Sequence, residues 1–345
     1  MPNEPLRHDA RQLKLKKATV APDFEARTVL AADPWDYVDL WLRRNSREDA
    51  RFYWAQARDF AKAGTGLALA SRPLLAYYSM LNATKALLEV NDIDFADRHG
   101  VGGRRNEKGR GLPAEIVEFS KGGVFGALVQ LLGESASEEK EEYNLKQLLY
   151  NLAWIHRAFC LTYRSAPELF VPLESPGFSR RKGSTEAWFR ARVATRDKIM
   201  LTGKRMPPQF EWDEGDESGQ TIRETSRFRW DDANEGPENF KRLAKYLQKI
   251  RKRVVYIHSS QWLWYLKRNV ASEDVVDHSS KVITFAAMHR LSELARYNPD
   301  LLAKHLDASH NWLLSEFITV SVRQFTDEIA SEITGMDFMV PGLRE

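Results

Sequence analysis

The sequence predicts a mainly α-helical protein, an antiparallel helical bundle with a small β-containing insertion. Helical periodicity is strongest at residues 71–89, SRPLLAYYSMLNATKALLE, where apolar side chains recur at three- and four-residue steps. Residues 309–334 repeat that spacing near the other end of the chain. Between them, residues 188–193 alternate apolar and polar side chains, which is typical of a short strand. Helices at both ends and strands in the middle give the fold class.

Four regions follow in order along the chain. Residues 1–32 form a basic N-terminal arm that carries RQLKLKK at positions 11–17 and lacks steady periodicity, so we expect a frayed, solvated terminus. Residues 33–165 form an N-terminal helical region, which Asp33 and Pro34 open with a typical helix start. Within this region the glycine-rich, basic stretch 94–111 is predicted to be a loop.

The second half of the chain changes character twice. Residues 166–236 form the β-containing insertion, in which short alternating segments are separated by Pro, Gly and Thr. Residues 237–345 form a C-terminal helical region that completes the bundle, with long helices predicted over 275–297 and 309–334. The apolar face of the last helix includes Phe317, Phe325 and Ile329. These side chains suit a monomer core or the interface of a homo-oligomer equally well.

The composition excludes several classes of protein. The chain has 345 residues, of which 43% are hydrophobic and 29% charged, the balance of a globular protein. It has no apolar run long enough to cross a bilayer, and positions 1–20 are too polar for a signal peptide. The single cysteine, Cys160, fits a reducing compartment, so we expect a cytoplasmic protein without membrane association. With a net charge of only +3, any nucleic-acid contact requires a local basic patch.

Candidate ligand-binding residues begin on the helix at 71–89. Tyr78, Asn82 and Lys85 lie on adjoining faces, where a phenol, an amide and an ammonium can meet an anionic group. The predicted loop after this helix adds three cations, Arg98, Arg104 and Arg105. The alternative is structural, with Tyr78 packed in the core and Lys85 reaching water or a carboxylate.

Candidate catalytic residues are His99 and the pair Arg253 and His258, which four residues separate. Histidine transfers a proton near neutral pH, and arginine stabilises the charge of a phosphorane. The alternative is chance spacing, because residues 254–257 are β-prone and the chain is rich in arginine. His289 and Arg290 are expected to have core roles. The eight histidines show no metal-ligand spacing, so neither a metal nor another cofactor is predicted.

Three collinear segments resemble the YaaC-like protein family: SRPLLAYYSMLNATKALL, Arg98-His99-Gly100, and FAAMHRLSELARYNPDLL at 285–302. That family has no settled biochemical activity. The first segment is also similar to helices of HEPN domains, a superfamily of nucleases and noncatalytic binding modules. This resemblance implies that the bundle is HEPN-like. The spacing of Arg253 and His258 resembles the motif of HEPN-type ribonucleases, but the pair lies outside the last helices, which favours a noncatalytic module.

The function expected from the sequence is therefore a noncatalytic, regulatory module of YaaC-like type that binds RNA or a protein partner, with a prokaryotic defence or toxin system as one setting. The basis is the basic stretch 98–110 and the aromatic segment 262–265. The alternative is a metal-independent, HEPN-like ribonuclease. It would use Arg253 and His258, or His99 with Lys85 and Arg98.

Overall fold

The computed structural model describes residues 3–134, 141–231, 236–271 and 274–341. It has a mixed α/β fold, with 46% of residues in helices and 19% in strands. The prediction of a mainly α-helical bundle with a small insertion is therefore wrong. The reason lies in an extensive antiparallel sheet, which draws strands from the N-terminal arm and from residues beyond 236 as well as from the predicted insertion.

The helices of the described residues alternate with strands along the chain. They are α1 (Trp35–Arg44), α2 (Glu48–Thr65), α3 (Arg72–Val90), α4 (Gly123–Leu131), α5 (Leu145–Tyr150), α6 (His156–Thr162), α7 (Pro237–Ile250), α8 (Ser280–Tyr297), α9 (Pro299–Asp307) and α10 (Asn311–Thr334). α3 packs against α2, α8 and α10, which explains why it is apolar around most of its circumference. Each helix is too short or too polar to span a bilayer across the ranges that the structure describes.

The large sheet contains eight strands within the described ranges. They are β1 (Asn3–Pro5), β8 (Phe170–Arg181), β9 (Glu186–Arg192), β10 (Phe210–Trp212), β11 (Thr221–Glu224), β12 (Phe228–Arg229), β13 (Val254–Ile257) and β14 (Leu263–Lys267). The main order is β10-β11-β9-β8-β14-β13, with β1 paired to β8 and β12 paired to β9, and every pairing is antiparallel.

The remaining strands form three smaller pairings. β2 (Arg7–His8) and β3 (Arg11–Gln12) make a hairpin, and β4 (Val29–Leu30) runs parallel to β15 (Phe338–Met339). β5 (Val101–Arg105), β6 (Glu115–Phe119) and β7 (Glu141–Asn144) form a three-stranded antiparallel sheet. The stretch 94–111, predicted to be a loop, thus contains a strand, because the backbone of β5 pairs along its full length with β6.

Two hydrophobic clusters fill the interior. The larger is built mainly from the helices, and the smaller lies between the large sheet and α7. The arm contributes Leu6, Leu13 and Leu15 to the smaller cluster, all almost completely buried. The arm is therefore packed at Leu6 and over most of residues 13–19, contrary to the expectation of a frayed terminus. The other region boundaries, at 165, 236 and 345, stay predictions, although the sheet crosses the one at 236.

Candidate functional site

The loop after α3 brings His99 back against that helix. The hydroxyl of Tyr77 and Nδ1 of His99 are 2.6 Å apart, and the side chain of Tyr77 is completely buried. Burial raises the pKa of Tyr77, so the phenol keeps its proton. His99 is its acceptor among the described residues, which leaves the imidazole hydrogen on Nε2. His99 itself is half-buried, so this nitrogen can serve as a donor at the edge of the core.

Backbone contacts fix the position of His99. Its carbonyl accepts from the amide of Phe125 at 3.0 Å, and the carbonyl of Arg98 accepts from the amide of Val124 at 2.9 Å. Gly100 then turns the chain with a φ of 78°, a conformation that favours glycine. A Cβ atom at this position would lie 2.1 Å from the carbonyl oxygen of Gly122. Glycine at position 100 is therefore a structural requirement of this turn.

A second histidine, His289 of α8, lies beside the first. Its ring centroid is 4.9 Å from that of Tyr77 and 5.5 Å from that of His99. Its Nδ1 is buried without a hydrogen-bond partner within the described ranges, and the nearest carboxylate oxygen, on Glu293, is 3.9 Å away. Burial, followed by the neighbouring His99 and then the positive charge of Arg296, lowers the pKa of His289 to about 3. His289 is thus a neutral core histidine, as the sequence indicated.

Arg296 completes this group, which we call the His99 cluster (Tyr77, Tyr78, His99, His289 and Arg296). Its Nη1 lies 3.5 Å from the hydroxyl of Tyr78, and its Nε is buried without a partner. In the part of the chain that the structure describes, Arg296 forms no ion pair with a carboxylate. Burial, followed by the charges of Arg296 and Lys85, lowers the pKa of the His99 imidazole.

Lys85 lies close to this cluster but has its own partner. Its Nζ is 2.6 Å from Oδ1 of Asp97 and lies over the rings of Tyr53 and Phe95, 5.3 and 5.7 Å from their centroids. The side chain of Lys85 is 13% exposed, whereas that of Asp97 is 89% exposed. The ammonium group of Lys85 therefore lies over two aromatic rings and pairs with a carboxylate at the surface. Asn82 is buried and donates to the carbonyl of Tyr78, 2.8 Å away.

Two of the five cations in the predicted basic stretch 98–110 are paired with carboxylates. Arg104 contacts Glu118 at 2.9 Å and Glu142 at 2.6 Å. Arg105 is paired with the buried carboxylate of Glu115. Only Arg98, of the three candidate cations in this stretch, is exposed and free of an ion pair within the described residues.

The same Glu115 connects the strand to two later helices. Its carboxylate accepts from Arg290 at 2.7 Å and contacts Nε2 of His305 at 3.0 Å. Burial by itself raises the pKa of Glu115, but the hydrogen bonds from His305 and Arg290 outweigh it, and the pKa is lowered. Glu115 is thus an ionised structural centre. The sequence offered no signal for its partners, which lie more than a hundred residues away.

The structure gives Arg253 and His258 separate partners. Nη2 of Arg253 is 3.7 Å from Asp277, and Nδ1 of His258 is 2.9 Å from the fully buried carboxylate of Asp327. The His258 side chain is only 4% exposed. The pair therefore does not face a common open surface.

A concave surface that we call the arm cavity lies where the N-terminal arm meets the segment before β14. Its volume is about 630 Å³. Arg11, Lys14 and Arg27 line it, all exposed, and within the described residues none of them has an ion-pair partner. Two half-buried aromatic side chains, Phe24 and Trp262, also line it. Cations and flat rings thus share one hollow.

Three acidic side chains also line the arm cavity, each near a basic side chain. Asp9 and Glu25 contact Nε2 of His8 at 3.8 and 3.3 Å. Asp337 contacts Nζ of Lys16 at 3.4 Å. Within the described residues the lining carries four cations, Arg11, Lys14, Lys16 and Arg27, against three carboxylates, a net charge of +1 with His8 counted as neutral.

One further cluster has donor atoms of the kinds that metals use. His156, Cys160 and Glu168 place their ligand atoms within 4.8 Å of one another. However, Nε2 of His156 accepts a hydrogen bond from the amide of Leu169 at 2.9 Å. Burial raises the pKa of the Cys160 thiol to about 12, so without a metal ion the thiol keeps its proton at neutral pH and is a poor nucleophile.

The fold and these surfaces define the class: a mixed α/β protein with a helical core, a sheet core and a histidine-arginine cluster between α3 and α8. The chain belongs to the YaaC-like protein family, whose sequence model matches residues 15–333. No curated protein and no solved structure matches the chain. These comparisons do not show the HEPN relationship, and the mixed α/β fold replaces the HEPN-like bundle that it implied.

Proposed function

We propose that this YaaC-like protein is a noncatalytic regulatory module that binds single-stranded RNA in the arm cavity. The observation that carries the proposal is the combination of three exposed, unpaired cations with Trp262 in one hollow. Proteins that bind single strands use this combination, because cations follow the phosphates and aromatic rings stack on the bases. The cations of the arm cavity that support this proposal differ from those of the basic stretch 98–110, on which the sequence-based prediction of RNA binding rested.

The charge balance at the cavity also favours an anionic strand. Arg11 and Lys14 come from the same short segment, and Arg27 enters from the other side of the arm. Their guanidinium and ammonium groups have no carboxylates to displace before phosphate binds. A protein partner is the competing occupant, and the following experiment separates the two.

Fluorescence anisotropy of a labelled 12-nucleotide RNA, titrated with the full chain at several salt concentrations, tests the proposal. We expect the double variant Arg11→Gln/Arg27→Gln to bind more weakly and to reduce the salt slope by roughly 1.4, since each contact to a single-strand phosphate contributes about 0.7. The control Lys241→Gln/Lys245→Gln removes the same charge from exposed positions of α7. Equal affinity of the two double variants would contradict RNA binding in this cavity.

The stacking contribution is tested separately at Trp262. Trp262→Ala should weaken binding by about 1–3 kcal/mol if one base stacks on the indole, whereas Trp262→Phe should keep most of the affinity. A chain that binds no RNA at low salt would instead favour the protein partner.

A metal-independent ribonuclease is the second candidate, and the His99 cluster favours it over the Arg253 and His258 pair. The hydrogen bond from Tyr77 fixes the ring of His99, and Arg296 and Arg98 supply positive charge near it. Incubation of RNA with the protein in excess chelator tests this candidate. The ribonuclease candidate is supported if the His99→Gln variant no longer cleaves RNA while the His258→Gln variant still does. It is ruled out if the unaltered chain does not cleave RNA.

A further inference from the structure

A second hollow, distinct from the arm cavity and the His99 cluster, lies beside the end of β14. We call it the Arg268 cavity. Its volume is about 800 Å³, which is in the range of small-molecule sites. Within the described residues three cations line it, Lys204, Arg205 and Arg268, and its other lining residues are uncharged. This lining has a net positive charge.

Arg268 forms the buried part of this cavity. The residue is only 8% exposed, and its Nε donates to the carbonyl of Glu168 at 2.6 Å. The carboxylate of Glu168 turns away, to Arg157 at 2.7 Å and to His156 at 3.4 Å. Arg268 therefore binds the backbone carbonyl of an acidic residue whose carboxylate contacts two other side chains. Nη2 of Arg268 donates to none of the described residues.

The other two cations lie at the rim. Lys204 and Arg205 are both exposed, and neither forms an ion pair with any carboxylate that the structure describes. The backbone fixes their distance from the floor, because the amide of Asn269 donates to the carbonyl of Arg205 at 3.0 Å. Burial, followed by the charge of Arg205, lowers the pKa of Arg268, which indicates mutual repulsion that an anion would relieve.

We propose that the Arg268 cavity binds a phosphomonoester, with Arg268 on the floor and Lys204 and Arg205 at the rim. A phosphomonoester carries nearly two negative charges at neutral pH and three acceptor oxygens, which suits three cations better than a single carboxylate would. Pro167, Val270 and Ala271 offer apolar surface for the rest of the ligand. The group can belong to a free nucleotide or to the 5′ end of an RNA. This inference uses none of the residues that carry the proposed RNA site.

Isothermal titration calorimetry of the full chain with adenosine monophosphate tests the proposal, with adenosine as the comparison without phosphate. We expect Lys204→Gln/Arg205→Gln to weaken binding of adenosine monophosphate by about tenfold, since each rim contact contributes roughly threefold. The control Lys241→Gln/Lys245→Gln should bind as the unaltered chain does. Arg268→Lys keeps the floor charge but loses the planar fork, and it should also weaken binding.

Two results would overturn the proposal: adenosine binding as tightly as its monophosphate, or equal affinity of the two double variants for the monophosphate. Whether the phosphomonoester belongs to a free nucleotide or to an RNA end is tested by measuring the affinity of two RNA oligonucleotides, one with a 5′-phosphate and one with a 5′-hydroxyl. Tighter binding of the 5′-phosphorylated oligonucleotide than of its 5′-hydroxyl counterpart assigns the cavity to RNA ends, and equal affinity of the two oligonucleotides assigns it to free nucleotides. Arg11→Gln/Arg27→Gln should leave the affinity for the monophosphate unchanged, so this test is separate from that of the arm cavity.

Discussion

Replacement of Lys17 by Met should destabilise the protein strongly, because Lys17 neutralises a carboxylate in the interior. Asp327 of α10 is completely buried, and its Oδ2 is 2.9 Å from Nζ of Lys17 and 2.7 Å from the hydroxyl of Tyr256. His258 contacts the other carboxylate oxygen at 2.9 Å. Methionine keeps most of the volume of the lysine chain but removes its charge. Asp327 would then be left in the interior without its lysine counter-charge.

The size of the destabilisation follows from the burial of both partners. The side chain of Lys17 is 5% exposed and that of Asp327 is 0% exposed. Removing one member of a buried ion pair costs about 3–5 kcal/mol. For a chain of 345 residues the entropy of unfolding is roughly 0.7 kcal/mol/K, so the Tm should fall by about 4–7 °C. Thermal unfolding followed by circular dichroism at pH 7 measures this shift.

Two controls make the result specific. Lys62→Met removes a lysine from an exposed position of α2 and should change the Tm by less than about 1 °C. Adding Asp327→Asn to Lys17→Met removes the unpaired charge and should restore part of the lost stability. If the Lys17→Met variant had the same Tm as the Lys62→Met control, the conclusion that the Lys17–Asp327 pair links the arm strongly to α10 would be refuted.

The effect should also depend on pH. Burial by itself raises the pKa of Asp327, but Lys17 and His258 outweigh it, and the folded-state pKa is lowered. The carboxylate therefore contributes stability above its unfolded pKa, and this contribution is lost as the pH falls toward the folded-state value. The difference in Tm between the unaltered chain and Lys17→Met should accordingly shrink below about pH 4.

Two further predictions concern the turn and the ring contact at His99. Gly100→Ala should destabilise the chain by about 1–3 kcal/mol, because its φ of 78° and the carbonyl of Gly122 leave no room for Cβ. Thermal melts check this against Gly66→Ala, where a Cβ meets nothing within 4 Å, and equal melting of the two would contradict it. Tyr77→Phe should raise the pKa of His99, since the phenol hydrogen bond favours the neutral ring. NMR titration measures the pKa of His99 in the variant. An unchanged or lower pKa would refute the assignment of the Tyr77 hydroxyl as the donor to His99.

The helical part of the fold was the most predictable. The three- and four-residue spacing at 71–89 corresponds to α3, and the spacing at 309–334 corresponds to α10. The sheet was not predictable to the same degree, because its strands are short and their partners are distant in sequence. β1, for example, has three residues and pairs with the end of β8, so no local pattern encodes the register.

The candidate site was predicted in pieces. His99 and His289 were both singled out, but only the packing of α3 against α8 brings their rings to 5.5 Å. The partners of Arg104 and Arg105 were missed, since cross-strand carboxylates on β6 and β7 cannot be assigned before the strands are paired. The environment of Arg268 was missed for the same reason. It depends on the backbone carbonyl and the carboxylate of Glu168, a hundred residues earlier in the sequence.

The basic arm shows why a run of like charges cannot be interpreted from sequence alone. Within RQLKLKK, Arg11 and Lys14 are exposed at the arm cavity. Lys16 is paired with Asp337, and Lys17 with Asp327, both in the interior. Half of the cations in the run therefore bind the protein's own carboxylates and hold the arm in place. Because these pairs fix the arm, the remaining two cations face a preformed hollow, so RNA bound there would not have to order a flexible segment.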